Sequence, residues 1–179
     1  MAFAIRPMHG RAGLRAYLAI LSLAGGVSLS DAAETKLTEF VGVWHGRGTD
    51  RTSPLQTAQS TNCRMKIQAD EHRLVSDTKC NGERGLAKTL HLSVVIDGDK
   101  VSGEAKQTAQ APGGEPDILR GSVSGTRGDE EANLIVRFPG LTPNASIVLT
   151  RNNPSTFNMN ISSLGLTLTD VTFHLASAQ

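Results

Sequence analysis

Aromatic side chains are scarce in this chain, with five Phe, one Trp and one Tyr among 179 residues. A surface that stacks bases or sugar rings needs several such groups, so no stacking platform for nucleic acid or carbohydrate is expected. An excess of one charge sign is also lacking, since 18 Lys and Arg stand against 17 Asp and Glu. Phosphate neutralisation requires a basic excess or stripe, and nucleic acid is therefore not an expected partner. Catalytic signatures are missing as well. There is no phosphate loop, no H-E-x-x-H and no paired-carboxylate arrangement. Gly121-Ser122-Val123-Ser124-Gly125 places Val where a nucleophile elbow needs Ser. His45, His72 and His91 lack the i, i+2 or i, i+4 spacing of metal ligands, and Asp129-Glu130-Glu131 lacks the alternating ligands of a calcium loop. The chain reads as non-catalytic, with no cofactor and no metal.

Long apolar runs are absent except at the start. Arg6, Arg11 and Arg15 precede an uncharged stretch from Ala16 to Ser30, and the small residues Ser30-Asp31-Ala32 follow it. This is the pattern of a secretory leader over residues 1–32, and its apolar part is shorter than the roughly 20 residues of a membrane-spanning helix. Cleavage after Ala32 would remove three Arg and one Asp, leaving 147 residues with 15 basic and 16 acidic side chains. Residues 33–179 then form one soluble domain, periplasmic or secreted, with no further transmembrane segment.

In an oxidising compartment the two cysteines become a disulfide candidate. Cys63, Met65, Ile67 and Ala69 alternate with Arg64, Lys66 and Gln68, and after Asp70-Glu71-His72-Arg73 a second run places Leu74, Ser76, Thr78 and Cys80 on one face. If Glu71 and His72 form a two-residue turn, Cys63 stands opposite Cys80, Lys66 opposite Asp77, and Arg64 opposite Lys79. The turn residues are not Asn-Gly, so a longer loop with a bulge is the alternative.

From residue 41 onward short period-two runs recur between turn signals, and no long stretch holds a helical period. The expected architecture is all-β, an antiparallel up-and-down barrel of about eight to ten strands or a strongly bent sandwich, carrying one disulfide hairpin. Gly121 and Gly125 suggest a bend or bulge in their strand. The inward set includes Met65, Ile67, Leu92, Val94, Ile96, Leu134, Val136, Phe138, Ile147, Leu149, Phe157, Met159 and Ile161. Such aliphatic side chains either fill a small barrel completely or line one apolar cavity.

The segment Phe40-Val41-Gly42-Val43-Trp44-His45-Gly46-Arg47-Gly48 resembles the G-x-W opening of the calycin superfamily, which includes lipocalins and nitrobindin-like haem proteins. Gly42 to Gly48 is similar to the G-x-W-x-G-x-G form of the nitrobindin-like branch. The resemblance implies a barrel with Trp44 as the plug of one end. It also implies that His174, followed by Leu175, ligates haem. The alternation opposes that role, because Val171, Phe173 and Leu175 share one face and His174 lies on the other with Thr172. Leu166 and Leu168 have the opposite phase, which predicts a bulge near Thr169-Asp170. In size, early Trp and single disulfide the chain is also similar to periplasmic metalloprotease inhibitors, and it is similar to uncharacterised secreted proteins of alphaproteobacteria. These observations lead to a non-catalytic exported barrel that binds a small apolar ligand or an envelope component. The plug or ligand-lining candidates are Phe40, Trp44, Met65, Ile67, Phe138, Phe157 and Met159. A protein–protein module, such as a protease inhibitor or an assembly factor, and a haem protein are the other readings.

Overall fold

The structure is a computed structural model that describes residues 40–51, 55–140 and 144–176. The leader read over residues 1–32 lies outside the described residues. Ten strands follow in sequence: β1 (Gly42–Asp50), β2 (Gln59–Ala69), β3 (Arg73–Gly82), β4 (Ala87–Asp97), β5 (Lys100–Gln110), β6 (Asp117–Arg127), β7 (Glu131–Arg137), β8 (Ala145–Asn153), β9 (Thr156–Ser163) and β10 (Leu166–Leu175). Each pairs antiparallel with the next, and β10 returns to β1 to close the barrel. Closure satisfies the outer ladders of the first and last strands, which an open sheet would expose as edges.

Period-two alternation drives this arrangement, because it gives every strand one apolar face to bury. In β2 the residues Thr61, Cys63, Met65 and Ile67 are buried while Asn62, Arg64, Lys66 and Gln68 are exposed. The β2–β3 register has Cys63 opposite Cys80, Arg64 opposite Lys79 and Lys66 opposite Asp77. The turn is the short form, with the Asp70 N–H donating to the Arg73 carbonyl. The Arg73 N–H donates to Asp70 Oδ1, so an acidic side chain does part of the work that Asn-Gly does elsewhere. Cys63 and Cys80 are joined as a disulfide with their Cα atoms 4.0 Å apart.

Two local features differ from the sequence reading. β6 pairs with β5 and β7 without a register shift, so Gly121 and Gly125 mark no bulge. A Cβ at Gly125 would lie 2.0 Å from the Asn133 carbonyl oxygen, and the glycine there permits close approach of β7. The bulge in β10 falls between Thr167 and Thr169, and another shift occurs in β8 between Arg151 and Asn153. Leu166 lies on the exposed side and Leu168 is only partly buried, so the leucines are not the inward-facing set that their phase suggested, while Thr169, Val171 and Phe173 are buried.

The core is the barrel interior. Met65, Ile67, Leu92, Val94, Ile96, Leu134, Val136, Ile147, Phe157 and Met159 are buried in it, and Phe138, Leu149 and Ile161 pack against it partly buried. Burial of side chains of this size is worth about 1.5–3 kcal/mol each relative to exposure.

Candidate functional site

The barrel ends have different chemistry. One end gathers Phe40 and the β2–β3, β4–β5, β6–β7 and β8–β9 turns. The other gathers the last residues of β1 and the first residues of β4 and β10.

At this second end a charged cluster crosses the interior. Asp50, only 3% exposed, receives Lys88 Nζ at 2.8 Å on each carboxylate oxygen. Thr169 Oγ1 donates to Asp50 Oδ1 at 2.7 Å, and Lys88 Nζ donates also to the Arg51 carbonyl at 2.9 Å. Since β1 and β4 are not sheet neighbours, this ion pair ties together two walls of the barrel that the sheet does not join directly. A buried charge persists only when it is paired and hydrogen-bonded, and both conditions hold here.

The middle of the barrel is asymmetric. Trp44 on β1 is fully buried, and its indole N–H donates to the Phe40 carbonyl at 2.9 Å. Its ring meets Phe157 edge-on at 4.8 Å, and Phe157 stacks on Phe173 at 5.0 Å. Gly46, next inward on β1, leaves room for this stack, since a Cβ there would lie 2.8 Å from the Phe173 ring. The three rings fill the side of the interior built by β1, β9 and β10. Aliphatic side chains cover the opposite side and do not fill it.

A cavity of about 120 Å³ is left there, lined by Met65, Ile67, Leu90, Leu92, Val94, Ile96, Val101, Leu134, Leu149, Phe157 and Met159 among others. Among the described residues, Ser76 and Thr78 are the hydroxyl residues on its wall. It reaches the first end of the barrel beside Phe40, Arg151 and the Arg127–Ala132 segment. The Arg151 guanidinium lies over the Phe40 ring at 5.3 Å, so these two side chains frame the mouth together.

The sequence-derived candidates divide accordingly. Phe40, Met65, Ile67, Phe157 and Met159 come together on the cavity wall. Trp44 is packed behind it in the aromatic stack, and Phe138 lies partly buried against the core away from the cavity. Cys63 and Cys80 form the disulfide. His174 stands exposed on the outer wall, with Nδ1 3.2 Å from Thr156 Oγ1, and is turned away from the lumen. The sequence reading did not single out Asp50, Lys88 or Thr78. A lysine in phase with Leu90 and Leu92, and two hydroxyls in phase with Leu74 and Cys80, were the available signals.

A second concavity of about 880 Å³ lies on the outer wall, where Asp77, Lys79, His91, Lys106, Arg120 and Arg137 contribute to its lining. Within it His91 Nδ1 lies 2.8 Å from Asp77 Oδ1, and Arg137 Nη1 donates to Ser124 Oγ outside the lining at 2.8 Å. Among the described residues no helix is long and apolar enough to cross a membrane, and no group of three or more potential metal ligands converges. Compared with known proteins, the chain matches no family model and no curated protein.

Proposed function

We propose that the protein is a non-catalytic, exported barrel that holds one small apolar molecule in its lumen. The observation that carries this reading is the apolar cavity of about 120 Å³ beside the aromatic stack. Drug-sized ligands need roughly 300–1,000 Å³, so fatty acids, tetrapyrroles and similar bulky ligands fall outside its range. An engineered apolar cavity of about 150 Å³ takes benzene or xenon, which sets the relevant scale. The disulfide is compatible with an oxidising compartment, and the apolar lining of the lumen supports a binding role.

The test is thermal denaturation with small apolar probes, followed by native mass spectrometry. Benzene or toluene at about ten times its dissociation constant raises stability by about 1.4 kcal/mol through mass action. A long-chain fatty acid gives no shift. Leu92→Phe, which places a ring in the cavity, abolishes the response while the barrel stays folded. No shift with any small probe would overturn the reading.

A further inference from the structure

Two side-chain hydroxyls among the described residues are buried without a hydrogen-bond partner, those of Thr61 and Thr78. They differ in what they face. Thr61 does not line the cavity, whereas Thr78, 3% exposed, is part of its wall, between Met65 on β2 and Leu90 on β4. Ser76, the next inward residue of β3, adds a second hydroxyl along the same strand. A buried hydroxyl left unpaired carries its full desolvation penalty, and a Thr side chain offers one donor and two acceptor positions. An apolar lumen meant only to be filled by hydrocarbon would be served better by Val at this place.

From this juxtaposition we infer that the cognate ligand is not a pure hydrocarbon but a small neutral molecule with an apolar body and one hydrogen-bonding group, a hydroxyl or carbonyl. That group is held by Thr78 Oγ1. The inference rests on the lumen reading above and adds orientation to it. Neutrality follows from the charges around the cavity. The Lys88 ammonium is held by Asp50 and does not line the cavity. The charged side chains of the lining, Arg127, Asp129, Glu130, Glu131 and Arg151, all belong to the mouth, so an ionic head of either sign would meet no counter-charge beside Thr78. With about 120 Å³ available, the body is of the order of one small ring or a short branched chain.

Phenol, cyclohexanone, benzene and benzoate serve as probes of the intact protein, with affinities read by calorimetry or ligand-observed NMR. Wild type binds phenol and cyclohexanone at least as tightly as benzene, and it does not bind benzoate. Thr78→Val weakens phenol and cyclohexanone by roughly five- to tenfold, the worth of one neutral hydrogen bond, and leaves benzene unchanged. Thr78→Ser keeps the hydroxyl and keeps the preference. Thr61→Val, which removes the other unpartnered hydroxyl away from the cavity, changes no affinity. The ligand-free Thr78→Val protein melts no lower than wild type, which separates a recognition role from a structural one. Equal losses for benzene and phenol, unchanged phenol affinity in Thr78→Val, or benzoate binding as tight as phenol would overturn the assignment while leaving an apolar lumen site in place. Failure of all four probes to bind wild type would remove the lumen reading itself.

Discussion

Single residues carry strain and satisfaction in this barrel more visibly than composition suggests. Leu164 sits in the tight turn between β9 and β10 with φ at +54°, the sole non-glycine residue in the left-handed region among those described, next to Gly165 at +72°. Paired positive φ values are what a two-residue hairpin turn requires, and Asn or Gly is the usual first residue because a branched apolar side chain clashes there. The Leu164 side chain is 71% exposed and gains little from packing. Leu164→Asn therefore stabilises the protein by about 1 kcal/mol, seen as a higher urea midpoint with an unchanged slope. Trp44 is the opposite case. Its indole N–H is satisfied by Phe40, its ring is held by Phe157, and nothing about it is strained.

At the scale of elements, the β2–β3 hairpin shows how far alternation alone leads. The disulfide closes a loop with a sequence separation of 17 residues. Loop entropy for this length corresponds to about 3 kcal/mol, so Cys63→Ala/Cys80→Ala lowers unfolding free energy by about that amount in urea titrations. Reductant produces the same loss in wild type and none in the variant. The register was legible because two constraints coincide, the phase of the apolar residues and the need for Cys63 to face Cys80. Strand order was legible for a related reason, since short turns make neighbours of consecutive strands. What could not be read was how completely the inward residues fill the interior. Met65, Leu92 and Met159 face inward whether or not a gap lies between them, and only the three-dimensional offset of the aromatic stack leaves the opposite wall unfilled. The β10 register shift lies within about two residues of the expected Thr169-Asp170, although Leu166, whose inward placement was part of the ground for expecting it, is exposed.

For the molecule as a whole, the lumen is organised along its axis: a mouth framed by Phe40 and Arg151, a wall of apolar side chains with hydroxyls on β3, and an ionic bridge at the far end. Asp50 and Lys88 are 38 residues apart and on non-adjacent strands, so no local pattern could pair them. Their bridge makes the far end sensitive to single substitutions. Lys88→Met leaves the Asp50 carboxylate buried and uncompensated and lowers stability by about 3 kcal/mol, whereas Asp50→Leu/Lys88→Met recovers most of that loss. Chemical denaturation of the two variants beside wild type measures the difference.

Closure of the barrel by β1 and β10 also governs when this fold can come into being. Trp44 lies opposite Leu175 and Gly48 opposite Val171, so the first strand completes its ladder only with the tenth. Contacts of such high sequence separation slow folding, because most of the loop entropy is lost before the pairing that offsets it. A chain synthesised N-terminus first therefore carries β1 with one ladder edge unfilled until β10 is made. Until then the sheet is open and its edges can pair with another chain, and the barrel closes only once β10 is in place.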